Sequence, residues 1–199
     1  DGTQLDGVFL PTREDLWSQD RRRLTLIFDP GRVKTGLNAS EALGRALRSG
    51  QSYTLKVSSA SLDAAGCVLG QDTMFDFQVG PPDLEPPDPS KWALTNPSAG
   101  TRDRLTVSLG SPHDHLSLAF RLRVLDAEGS IIPGEIGLSP GENSWEFTPR
   151  APWKSETYNL SIEDSLEDLA GNRPGVLFDQ PSGQSPEPWS DRLTFQPGT

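Results

Sequence analysis

The sequence predicts an all-β protein built as two tandem β-sandwich modules, and three observations predict it. Gly (19) and Pro (18) are abundant beside 34% hydrophobic residues, a composition suited to many short strands joined by turns. At 199 residues the chain has room for two sandwiches of about 100 residues each. Its strongest patterns also occur twice.

The repetition is specific. Arg23-Leu24-Thr25-Leu26 returns as Arg104-Leu105-Thr106-Val107, and Tyr53-Thr54-Leu55-Lys56-Val57 as Tyr158-Asn159-Leu160-Ser161-Ile162. In the second pair an aromatic and two aliphatic residues alternate onto one strand face. Each copy then reaches an acidic turn at the same offset of 10 residues: Asp63-Ala64-Ala65-Gly66 after Tyr53, and Asp168-Leu169-Ala170-Gly171 after Tyr158. Between the copies, Gly80-Pro81-Pro82-Asp83-Leu84-Glu85-Pro86-Pro87-Asp88-Pro89 favours extended polyproline geometry and reads as a stiff spacer. The expected organisation is a shortened β module over 1–80, a Pro-rich linker over 81–91 and a full sandwich over 92–199.

In the second module, strands are expected at Leu105–Leu109, Phe120–Leu125, Ile131–Ile136, Ser144–Phe147, Tyr158–Ile162 and Leu193–Phe195. Turn signals such as Asp126-Ala127-Glu128-Gly129 and Ser139-Pro140-Gly141-Glu142 separate them. The first module is shorter: Thr25 and Tyr53 lie 28 residues apart, against 52 for Thr106 and Tyr158. One short helix is expected in the shortened stretch, over Asn38–Gly50. Asn38 and Glu41 form a capping-box pattern, Leu43 and Leu47 share a face, and Gly50 ends it.

The formal charge of −10 is concentrated. Residues 1–80 carry 9 basic and 10 acidic side chains, residues 81–199 carry 9 and 18. Such a surface repels phosphate backbones, and Arg21-Arg22-Arg23 is read as a solvated strand entry, so nucleic acid is not an expected partner. No apolar run approaches the ~20 residues of a membrane-spanning helix. The chain begins at Asp1, without Met or signal peptide, which reads as a trimmed fragment or a mature form. The single cysteine, Cys67, rules out an intrachain disulfide and is expected to be half-buried packing.

Residues with chemical capacity are few. His113 and His115 flank Asp114, and in an extended chain both rings would point to one side and chelate a metal; the alternative is a polar turn. Asp164, Glu167, Asp168 and Asn172 offer oxygens for calcium but lack the spacing of an EF-hand loop; the alternative is a structural corner in which Asp168 and Asn172 bond backbone and Leu169 plugs the open end of the sandwich. Nucleophile–base motifs, phosphate loops and dinucleotide fingerprints are missing. No enzyme activity and no cofactor are expected. Among the five tryptophans, Trp145 alternates with Phe147 and is assigned to the core. Trp17, Trp153 and Trp189 are the candidates for stacking on a carbohydrate, although Trp153 also suits a cap over the core.

The order of segments is similar to that of a known family. Trp92-Ala93-Leu94-Thr95-Asn96-Pro97-Ser98-Ala99-Gly100-Thr101, the Arg104–Leu109 strand, the turn at Leu125–Gly129, Ser144-Trp145-Glu146-Phe147-Thr148-Pro149, Tyr158–Ile162 and the closing Asp168-Leu169-Ala170-Gly171-Asn172 resemble bacterial immunoglobulin-like domains of the S-layer and adhesin type. The match covers residues 92–179 and, more thinly, 20–80, where Cys67 stands in place of Asn172. The resemblance implies two immunoglobulin-like modules acting as a spacer or presentation segment of an exported bacterial protein. It further implies an extracytoplasmic location (periplasmic, secreted or cell-surface), a protein or glycan partner at the cell envelope, and a monomer in isolation. Glycan recognition through the tryptophans is the alternative function.

Overall fold

A computed structural model describes residues 2–18, 20–34, 44–179 and 185–198. It divides into two compact units, Asp1–Pro82 and Asp83–Thr199, and both are predominantly β.

Among its described residues the second unit holds seven strands: β5 (Ala93–Thr95), β6 (Leu105–Ser108), β7 (Leu122–Leu125), β8 (Gly134–Leu138), β9 (Ser144–Pro149), β10 (Tyr158–Ile162) and β11 (Arg192–Phe195). They form a four-stranded sheet in the order β5-β6-β9-β8 and a three-stranded sheet in the order β11-β10-β7, with every pairing antiparallel. Alternation decides which residues face inward. Leu105 and Val107 on β6, Trp145 and Phe147 on β9, Leu122 and Val124 on β7, and Tyr158, Leu160 and Ile162 on β10 are all at most 5% exposed and belong to one apolar cluster spanning both sheets. Each such side chain contributes about 1.5–3 kcal/mol on burial. The Trp145 indole stacks on Phe147 with centroids 5.9 Å apart and donates its N–H to the Leu118 carbonyl at 3.1 Å, which satisfies its one polar atom inside the core.

Two expected strands are corrected. The stretch Phe120–Leu125 is strand only from Leu122, because a short helix, α2, occupies His115–Phe120. Asp114 caps it by accepting the Ser117 N–H at 2.8 Å. Leu116, Leu118 and Phe120 alternate like a strand, yet only Leu118 is buried. Ile131–Ile136 is broken by Pro133, so Ile131 makes a lone bridge to Leu125 and the strand begins at Gly134.

In the first unit, β1 (Leu16–Trp17) pairs with β2 (Leu24–Thr25), and β3 (Ser52–Val57) with β4 (Thr73–Gln78). A four-residue helix, α1, spans Pro30–Val33, capped by Asp29 and started by Pro30. Of the helix expected at Asn38–Gly50, residues 38–43 lie outside the described residues. Residues 44–50 hold bends and a turn but no helix, and Gly44 at positive φ is a geometry that interrupts a helix. Among the described residues of this unit, Ala46 is the one buried apolar side chain.

Tyr53 and Tyr158 nevertheless hold corresponding places. Tyr53 pairs across its hairpin with Phe77 and Tyr158 with Phe195, and both ring pairs are stacked, at 6.0 and 5.6 Å. Each hydroxyl accepts a backbone N–H from just upstream, that of Arg48 at 3.0 Å and of Lys154 at 3.1 Å. The other repeated strand diverges: Leu105 is fully buried in a central strand, whereas Leu24 is 41% exposed in a two-residue ladder.

Gly134 is held at its position by packing, because a Cβ there would sit 2.2 Å from the Phe147 ring and 2.6 Å from the Thr148 carbonyl. Gly134→Ala is expected to destabilise the second unit by about 1–3 kcal/mol, read from denaturant melts followed by tryptophan fluorescence.

Candidate functional site

The densest polar arrangement in the second unit is the acidic corner after β10. Asp168 is 6% exposed and Asn172 2%, so both need internal partners. One Asp168 carboxylate oxygen accepts the N–H groups of Ala170 at 2.8 Å and Asn172 at 2.9 Å. The other accepts the Asn172 side-chain N–H at 3.0 Å. Asn172 in turn accepts the Phe178 N–H at 2.9 Å and reaches the Asp83 carbonyl at 3.4 Å. The backbone closes the loop through Asp168 N–H to Asn172 C=O and Gly171 N–H to Asp168 C=O. Gly171 has φ +81°, and a Cβ there would meet Phe178 at 2.8 Å.

The first unit repeats this turn atom for atom at its centre. Asp63 accepts the N–H groups of Ala65 at 2.8 Å and Cys67 at 2.9 Å, and Gly66 has φ +82°. These bonds, that from Cys67 foremost, hold the Asp63 carboxyl below its ordinary pKa. The turn needs only the carboxylate and the backbone N–H groups, so the Asn172 side chain is dispensable where Cys67 replaces it. Cys67 itself is exposed, not half-buried, because its contribution is its backbone N–H.

Several expected site residues are placed differently from the sequence expectation. Leu169 is 70% exposed, and the leucine buried beside the corner is Leu166, at 0%. Asp164 and Glu167 are exposed, and among the described residues no three His, Cys, Asp or Glu side chains stand where they would hold one metal ion. His113 and His115 do not act as a pair. Asp114 caps α2 between them, so the chain turns instead of continuing extended. The His113 Nδ1 lies 2.9 Å from the Ser111 carbonyl, while the His115 Nδ1 lies 3.1 Å from the Glu142 carboxylate. Trp153 is 2% exposed, donates its N–H to the Asp103 carbonyl at 2.8 Å and packs against Phe147, Tyr158 and Phe195. Its faces are covered, which makes it the core cap. Trp17 and Trp189 are half-buried, and Trp189 lines an open cleft with Leu84, Leu109, Leu177, Glu187 and Asp191.

His113 is the residue whose importance the sequence did not disclose. It is fully buried, stands edge-on to Trp92 at 5.6 Å, and bridges to Asp168 through backbone. A carbonyl accepts only, so the ring proton sits on Nδ1 toward Ser111. Nε2 is then a buried nitrogen without a hydrogen-bond partner. Burial pushes the pKa of His113 below the ordinary histidine value, against the Ser111 carbonyl and the Asp168 carboxylate, which both favour the charged form.

No protein-family model matches this chain, and no curated protein matches it.

Two outcomes are expected. Asp168→Ala should cost the second unit about 2 kcal/mol through N–H groups left buried and unpaired, with a smaller effect from Asp63→Ala on its exposed turn; paired thermal melts measure both. For His113, the folded state binds fewer protons than the unfolded one below about pH 6.5. Its stability contribution is therefore complete above that pH and is lost as pH falls toward the depressed folded value. Urea melts between pH 7.5 and 5 should show this loss, and His113→Gln should flatten it.

Proposed function

We propose that the chain is a pair of immunoglobulin-like modules serving as a non-catalytic spacer or presentation segment of an exported bacterial protein. The observation that carries the proposal is the strand arrangement of the second unit. In chain order, its first, second, fifth and fourth strands form one sheet and its third, sixth and seventh the other, the arrangement of a constant-type immunoglobulin sandwich. The Tyr158 hydroxyl bound to upstream backbone at the start of the sixth strand is the tyrosine corner of such folds. The same corner, stacked Tyr–Phe pair and acidic turn in the first unit support a duplicated module. Rigid corners closed by backbone bonds suit a load-bearing or distance-setting role, in which the fold is the working part.

The extracytoplasmic, cell-envelope setting belongs to the same proposal and rests on the family resemblance. Among the described residues no helix is long and apolar enough to cross a membrane.

A second reading, glycan recognition, is favoured by one observation: Trp189, half-buried, lines an open cleft with Glu187 and Asp191, a setting in which an indole face and carboxylates would meet a sugar ring.

The spacer reading predicts coincident thermal melts with calcium and with chelator, no turnover across ester, peptide and glycoside substrates, and no change in tryptophan fluorescence with a polysaccharide panel. A melt raised several degrees by calcium would overturn the assignment of the corner as purely structural. Turnover would overturn the non-catalytic role, and saturable fluorescence quenching lost in Trp189→Ala would establish the glycan reading instead.

A further inference from the structure

The β3–β4 hairpin of the first unit has one apolar face and one polar face. Tyr53, Leu55 and Val57 alternate along β3 and lie opposite Phe77, Phe75 and Thr73, with Phe75 and Phe77 stacked at 6.4 Å. Ser52, Thr54 and Lys56, opposite Gln78, Asp76 and Met74, fall on the other face. Phe75 is 65% exposed and Val57 38%. Among the described residues no strand pairs with β3 except β4. A lone two-stranded hairpin is marginal in water, and an exposed apolar face beside an unpaired strand edge marks a place for another chain.

The second unit indicates what that chain is. There the corresponding hairpin carries β11 on one edge of β10 and β7 on the other, and Tyr158, Leu160 and Ile162 are at most 3% exposed. Leu122–Leu125 lies antiparallel to Asn159–Ile162, contributing Leu122 and Val124 to the core and leaving Arg123 half-exposed. With Tyr53 corresponding to Tyr158, the residues of β3 left without such a neighbour are Thr54–Val57.

We propose that the free edge of β3 accepts an antiparallel β-strand from a partner protein, apolar at alternate positions, docking as β7 docks on β10. Backbone bonds to Thr54–Val57 supply affinity, and apolar side chains set beside Leu55 and Val57, as Val124 and Leu122 stand opposite Leu160 and Ile162, supply selectivity. Lys56, held on the polar face by Asp72 at 2.6 Å, places a charge on the edge that discourages indiscriminate pairing. The inference rests on the correspondence of the two hairpins and holds whether or not the protein is a spacer.

The test uses the full chain and a synthetic peptide of the sequence Phe120–Asp126, fluorescently labelled, with a scrambled peptide beside it. Saturable binding by anisotropy is expected for the first peptide only, with slowed amide exchange over residues 54–57. Val57→Lys, on the apolar face of β3 at the docking edge, should weaken binding at least tenfold. Met74→Lys, on the polar face at 64% exposure, should leave it within twofold. Both side chains are solvent-exposed, so both variants should fold. Absence of saturable binding, equal loss in the two variants, or protection confined to the second unit would overturn the proposal. So would concentration-dependent dimerisation that protects residues 54–57 without peptide, which would make the occupant a second copy of this chain.

Discussion

A strand whose residues alternate apolar and polar can bury its apolar side only if a second layer covers it, and this requirement governs both halves of the chain. In the second unit the requirement is met. The side chains of β6 and β9 from one sheet meet those of β7, β10 and β11 from the other in a single cluster, and the remaining features follow from keeping that cluster closed. Gly134 makes room for Phe147, Trp145 finds the Leu118 carbonyl, and Trp153 covers Tyr158 and Phe195. In the first unit the same kind of hairpin lacks the covering layer among the described residues, and its aromatic face stays half-open.

The acidic corner shows how polar chemistry is adapted to the two settings. Its minimum is a carboxylate accepting two backbone N–H groups and a glycine at positive φ, and both units have this minimum. In the first unit the turn stays at the surface, where the remaining lone pairs are open to solvent. In the second it is buried, where an unmet polar atom costs far more, and Asn172 links the Asp168 carboxylate to Phe178 and Asp83. His113 sits beside this network with its Nε2 unmatched, the one buried side-chain nitrogen or oxygen among the described residues without a hydrogen-bond partner.

Much of the fold was legible in the residues. Strict alternation identified Tyr158–Ile162 and Ser144–Phe147, and turn chemistry located the Asp126–Gly129 and Ser139–Glu142 loops, because those signals are local. The repeat of Tyr53 and Asp63 at Tyr158 and Asp168 marked a shared hairpin and corner for the same reason: Asp-to-backbone bonds and positive-φ glycines act within five residues. Alternation misled at Leu116, Leu118 and Phe120, where the N-cap at Asp114 outweighed the period of two and produced a helix. It also misled for His113 and His115, whose separation by that same cap sends the two rings to different partners.

What the sequence determined by itself was the all-β class, the positions of the tight turns and the recurrence of one Tyr–Asp–Gly unit, all consequences of backbone preferences and spacing within a few residues. Burial was decided by the tertiary structure, because it depends on what covers a side chain from a distant part of the chain. Trp153 became core and Leu169 surface. Leu166 and His113 became interior, and Leu160 and Leu55, corresponding members of one repeated pattern, came to lie at 0% exposure and at half-burial.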